Sequence, residues 1–286
     1  MRLSDWIRYA ETFGISTQIV DIRNFLFYLY LIARLNPFRA DVHRIMTELL
    51  DDQLLIEFVQ NFYGYGNYRG QFWFIGMEEG GGNSFSEINA RLTAWENRGK
   101  KELEDVAEYH KDIGAMDWFN DNPRLQPTWN KLIRILLSSS GELPTTEQVR
   151  EYQKNLLGRL IGDTCLLELL PLPSPSIGQW LYAKYSQLPY LRDRETYKQE
   201  CLTSRIAHLQ NQISHFQPKV IIFYGLSYQD YWKKIARIDF HQNSGKIYAG
   251  RNESTLFVMT KHPAARGVTS DYFHQVGQLI ATSLAE

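Results

Sequence analysis

The chain has 286 residues, of which 44% are hydrophobic and 22% charged, a composition that excludes disordered, collagen-like and disulfide-scaffold proteins. This length suits one large or two modest domains, burying roughly three quarters of the surface exposed by the unfolded chain. Lys and Arg total 31 against 32 Asp and Glu, a formal net charge of -1; no global basic field draws the protein to nucleic acid or acidic lipid, and any polyanion site must be a local patch.

In chain order, the first 63 residues carry helical spacing, with Ile22, Leu26 and Leu29 in one segment and Val42, Ile45, Met46 and Leu49 in the next, separated by Pro37. The apolar run at 25–33 has nine residues, whereas a membrane span needs about 20, so a buried helix and no membrane association are expected. Residues 1–65 are accordingly predicted to form a helical N-terminal extension packed on the core and offering a face to a protein partner. From Gln71 the texture becomes short apolar runs alternating with amphipathic stretches. Residues 72–76, 164–170, 219–224 and 255–259 have the continuous hydrophobicity of strands in a parallel sheet covered on both faces.

Between these runs lie predicted helices. Trp129, Leu132, Ile133, Leu136 and Leu137 form one stripe behind Pro127-Thr128, and Val149, Tyr152, Leu156 and Leu160 form another after Thr145 or Thr146. A third stripe runs through Tyr197, Cys201, Ile206, Leu209, Ile213 and Phe216 and stops near Pro218. The mixed-charge segment 100–112 reads as a solvated helix, and residues 246–250 as a strand pairing with the last one in a hairpin. The expected fold is α/β, a three-layer αβα domain over 66–286 with a central four-stranded parallel sheet.

Cys165 and Cys201 are the only cysteines, too few for a disulfide framework and lacking the spacing of a zinc or redox pair. With no signal peptide visible at the start, a cytoplasmic protein is expected. Gly64, Gly66 and Gly70 precede a strand and lack dinucleotide-binding spacing. Gly225-Leu-Ser227-Tyr-Gln229 follows a strand as a nucleophile elbow would, but ends in Gln instead of Gly. The histidines show no metal-ligand spacing, so neither a metal nor another cofactor is expected.

What remains is a set of polar residues at the C-terminal ends of apolar runs, where an open parallel sheet holds its ligand. The first run exits into Gly76-Met77-Glu78-Glu79-Gly80-Gly81-Gly82-Asn83, a flexible loop or one whose amides hold an anion. The second carries Glu168 between leucines, either half-exposed or part of a site because an unpartnered buried carboxylate is costly. It then breaks into Pro171-Leu-Pro173-Ser174-Pro175-Ser176. The last exits into Lys261-His262-Pro263-Ala264-Ala265-Arg266-Gly267.

These segments, in this order, resemble the uracil-DNA glycosylase superfamily, above all its single-strand-selective monofunctional branch. G-M-E-E-G at 76–80 resembles that branch's G-M-N-P-G, E-L-L-P-L at 168–172 its N-x-C-P-L, and H-P-A at 262–264 its H-P-S; the similarity spans roughly residues 70–283. The resemblance implies a DNA-base N-glycosylase acting on a flipped or single-stranded modified base, uracil or another deaminated base. Glu78, standing where the branch has Asn, would orient the attacking water, with Glu79 as the alternative carboxylate. His262 would stabilise the leaving base. Glu168 would read the base edge, with Met77 and Phe85 beside it, Phe85 being either a stacking ring or a core aromatic. Gly80, Gly81, Ser174, Ser176, Lys261 and Arg266 would hold phosphates, the serines serving otherwise as turn caps. Glu168 replaces an Asn that offers a donor and an acceptor, whereas an ionised carboxylate only accepts. It is therefore protonated, or it faces a donor-rich edge such as that of guanine, or base recognition is lost. The alternative function is non-catalytic binding of nucleic acid or a nucleotide on the same fold, with a small and weak DNA contact in either case.

Overall fold

The computed structural model describes residues 49–285. The helices expected within residues 1–48, and their face for a partner, lie outside the described residues. Residues 50–65, expected to belong to that extension, are instead part of the compact unit formed by Leu50–Glu286. With Gly66 they supply helix α1 (Asp52–Asn61) and strand β1 (Gly64–Gly66), which pairs with the sheet.

The unit is α/β. Its strands are β1, β2 (Phe72–Gly80), β3 (Leu103–Glu104), β4 (Thr164–Ser174), β5 (Val220–Tyr224), β6 (His241–Gln242), β7 (Tyr248–Arg251) and β8 (Leu256–Thr260). They form one mixed sheet of eight strands in the order β3-β1-β4-β2-β5-β8-β7-β6. The four runs read as strands are neighbours in this sheet and pair in parallel, β4 with β2, β2 with β5 and β5 with β8. The expectation of a four-stranded sheet is corrected to a wider, mixed one. β1 joins β4 antiparallel at one edge, and the β7–β8 hairpin expected from 246–250 extends the other. β1, β3 and β6 escaped pattern reading because they are two or three residues long, too short for a period to register.

β5 and β8 are buried along their whole length, as parallel central strands must be. β4 continues through Pro171 and Pro173, where its register with β2 shifts between Leu170 and Ser174. A proline cannot donate to the ladder and so sits in such irregularities.

The helices are α2 (Phe85–Asn97), α3 (Val106–Asp112), α4 (Pro127–Ser138), α5 (Thr146–Asn155), α6 (Tyr182–Tyr185), α7 (Arg194–Phe216), α8 (Gln229–Ala236) and α9 (Ser270–Ala285). α4 starts with Pro127 in its first turn, and α5 carries a capping box between Thr145 and Gln148, both signals visible in the sequence. The α5 stripe is shorter than expected, because Leu156 caps the helix and Leu160 lies beyond it, both exposed. Segment 100–112, expected to be one solvated helix, is helical only over α3, whose Val106, Ala107, Tyr109 and His110 are buried. Leu103 and Glu104 pair with β1, and Glu104 is wholly buried against Arg98 at 2.7 Å. α7 is fixed behind β4 by the buried Arg205, whose guanidinium donates to the carbonyls of Glu168 and Leu169 at 2.9 Å and of Phe62 at 2.7 Å. No described helix is long and apolar enough to cross a membrane.

Candidate functional site

Midway along β2 and β4 the register aligns Gly76 with Glu168, and at the ends of β5 and β8 it aligns Tyr224 with Thr260. The Tyr224 hydroxyl donates to Glu168 Oε1 at 2.8 Å. The other carboxyl oxygen, Oε2, is closed to solvent and has no hydrogen-bond partner. Burial pushes the Glu168 carboxyl up to about 8, helped by the charges of Glu79 and Glu78 and opposed by the Tyr224 hydrogen bond and Arg205. At neutral pH the group is therefore a carboxylic acid. Of the alternatives left open by the sequence, the protonated form is the one that the surroundings favour. With Oε1 accepting from Tyr224, Oε2 carries the proton as a donor and the pair of oxygens acquires the donor-plus-acceptor character of an amide.

His262 follows β8, and its ring meets that of Tyr224 edge-on at 5.6 Å. Its Nδ1 accepts from the Ala264 amide at 3.1 Å, while burial lowers its pKa. The neutral ring then carries its proton on Nε2, a donor available to a ligand. Glu168, Tyr224 and His262 thus form one contiguous group.

The carboxylates of β2 diverge. Glu78 forms a two-oxygen ion pair with Arg194 Nη1, at the start of α7, both side chains being 14% and 12% exposed respectively. Arg194 also donates to Ser174 Oγ and to the Ser176 and Gln179 carbonyls, and its guanidinium lies over the Trp180 ring at 5.2 Å. Glu79 Oε2 accepts from Tyr65 Oη and from Arg91 Nη1, each at 3.0 Å, and its Oε1 is 3.8 Å from His110 Nε2. Neither glutamate is the unengaged carboxylate expected of a water-activating base, because each is held by an arginine.

Several of the groups expected to hold phosphates are engaged within the protein. Gly81 and Gly82 adopt left-handed φ of 124° and 67°, but the loop wraps an internal anion. Glu87, in the first turn of α2, accepts from the Gly82 amide at 2.8 Å and the Asn83 amide at 3.0 Å. At Gly81 a Cβ would stand 2.7 Å from Glu87 Oε1, whereas Gly80 faces open space. Ser174 caps its own turn, its Oγ within 2.9 Å of the Ser176 carbonyl and 2.8 Å of that of Gln179. Ser176 is exposed. The Lys261 amine lies over the Tyr272 ring at 4.7 Å, and Arg266 is exposed on the turn after His262. Met77 is buried in the core, and Phe85 packs edge-on against Tyr185 at 5.4 Å, the core-aromatic role.

Sequence reasoning missed Tyr224, Arg194 and Arg91. Tyr224 had a signal, a hydroxyl-bearing aromatic at the exit of a buried run; the arginines had none. Among the described residues no group of three or more His, Cys, Asp or Glu gathers as a metal ion would require. No protein-family model and no curated protein matches the chain.

Proposed function

We propose that this protein binds a free nucleobase or nucleoside on a three-layer αβα scaffold similar to that of uracil-DNA glycosylases, without hydrolysing an N-glycosidic bond. The observation that carries this reading is the contrast among the carboxylates. Glu168 is a neutral acid with an unpartnered donor, while Glu78 and Glu79 are each committed to an arginine. A neutral acid donating from Oε2 and accepting at Oε1 complements a carbonyl next to a ring N–H, the edge of uracil or hypoxanthine, and opposes cytosine held in the same pose, where donor and acceptor exchange places. His262 adds a second donor. The engagement of the loop amides by Glu87 and of Ser174 by Arg194 supports a small ligand over a strand. Oε2 is closed to water, so a base reaches it only as neighbouring groups move, and association is expected to be slower than diffusion.

The second reading is the glycosylase itself, favoured by the neutral His262, which would meet the charge developing on a departing base. One experiment separates them. The full chain is titrated calorimetrically with uracil, hypoxanthine and cytosine, and in parallel incubated with single- and double-stranded oligonucleotides carrying uracil, hypoxanthine or xanthine, followed by alkali. Saturable binding of the first two bases with no strand cleavage is expected. Cleavage at any lesion would establish the hydrolase instead, and absence of binding with folded protein would remove the base-binding reading.

A further inference from the structure

Tyr224 lies on β5 and Glu168 on β4, with β2 between them, and yet their side chains are hydrogen-bonded. Neighbouring strands are about 4.8 Å apart, so this contact spans roughly 10 Å across the middle strand. It exists because the middle strand contributes no side chain. A Cβ on Gly76 would stand 2.2 Å from the Tyr224 hydroxyl, 2.3 Å from its Cζ and 2.5 Å from Glu168 Oε2. The phenol therefore occupies the channel left by a glycine, and its ring rests on His262.

We infer that Tyr224 is the positioning residue of this site: its hydroxyl fixes Oε1 as the acceptor and leaves Oε2 as the donor, while its ring sets the placement of His262. One side chain thereby holds both polar groups proposed to meet the ligand. The inference rests on the base-binding reading for its consequence and on the geometry alone for its structural part. The charged and titratable groups that act on the Glu168 carboxyl are Tyr224 from β5, Glu79 and Glu78 from β2, and Arg205 from α7, with the His262 ring beyond Tyr224. The two glutamates oppose its ionisation, whereas Arg205 and the Tyr224 hydroxyl support it. Removing the hydroxyl while keeping the ring should therefore move the titration of Glu168 upward.

The test uses the full chain as wild type, Tyr224→Phe and Glu168→Gln. Phenylalanine preserves the packing against His262, and circular dichroism melts check that the variants fold. The carbonyl stretch of the protonated Glu168 is followed by difference infrared spectroscopy against pH, Glu168→Gln identifying the band. Loss of a hydrogen bond to a charged group is expected to raise the midpoint by about one pH unit. Uracil binding at pH 7 is expected to weaken about tenfold in Tyr224→Phe. In Glu168→Gln, whose amide supplies a donor and an acceptor without a titrating proton, the pH dependence of binding should vanish. A midpoint unmoved by Tyr224→Phe overturns the inference, whatever happens to uracil. A midpoint that moves, with no uracil binding by the wild type, upholds the positioning role and instead defeats the proposed ligand.

Discussion

Gly76, midway along β2, lies beside Tyr224 at the end of β5, and the tyrosine hydroxyl is 2.2 Å from where a Cβ of residue 76 would be. The one residue is defined by the other. Gly76→Ala would drive a methyl group into the phenol and the Glu168 carboxyl in a fully packed sheet, where overpacking costs roughly 1–3 kcal/mol. Urea denaturation should show the loss. Because the clash needs the ring, Gly76→Ala combined with Tyr224→Ala should cost less than the sum of the single changes. Strict additivity would mean that the two side chains do not share this space.

Glu168, half-buried with one carboxyl oxygen closed to solvent, makes stability depend on pH with a defined sign. Burial pushes its carboxyl up to about 8 in the fold, against 4.5 for an ordinary glutamate, so the native state keeps a proton that the unfolded chain releases. Stability is fully present below the unfolded value and falls as pH rises toward the folded one, by up to about 1.4 kcal/mol per unit. Urea midpoints of the wild type should decline between pH 6 and pH 8 more steeply than those of Glu168→Gln. Parallel slopes for the two proteins would show that Glu168 ionises normally.

Arg194 and Glu78 form an ion pair shielded from solvent, and the arginine also ties down the turn at Ser174 and Ser176. Removing one partner leaves an uncompensated charge, a loss of about 3 kcal/mol for such pairs. Arg194→Ala should show it in denaturant unfolding, and Glu78→Gln with Arg194→Gln together should recover a large part. If Glu78→Gln alone is harmless while Arg194→Ala is severe, the turn contacts of Arg194, and not the pair, carry the stability.

Burial was the legible part of the fold. The runs ending in Gly76, Leu170, Tyr224 and Met259 announced four central strands through hydrophobicity alone, because a parallel strand covered on both faces has no other composition. β1, β3 and β6 were not legible, since two or three residues cannot display a period and Gly64–Gly66 is held by close approach to β4, where a Cβ on Gly64 would stand 2.0 Å from the Leu166 carbonyl. At the site, the sequence singled out Glu168 and His262, of which His262 follows the end of β8 and Glu168 lies midway along β4, and their link through Tyr224 emerged only with the register. The arginines held the larger surprise. Arg194 is 116 residues from Glu78 in the chain, and pairing at that separation follows from topology, not from any local pattern.

The glycine loop after β2 gives the last prediction. Glu87 lies in the first turn of α2 and accepts the amides of Gly82 and Asn83 together with the Asn83 side chain, the last at 2.8 Å. Burial alone would raise its pKa, but the Asn83 side chain and these amides lower it on balance. The native state thus favours the carboxylate, so its stabilising effect is present above the ordinary Glu range and is lost as pH falls through the lowered folded value. Glu87→Gln keeps the shape and removes the charge, and with part of the group in solvent a loss of about 1 kcal/mol is expected at pH 7. The same comparison at pH 3 should show a smaller difference, because the wild-type carboxyl is then approaching its own neutral form. Equal losses at both pH values would mean that the amides are satisfied by shape and not by charge, and would reopen the loop as a place where an external anion is bound.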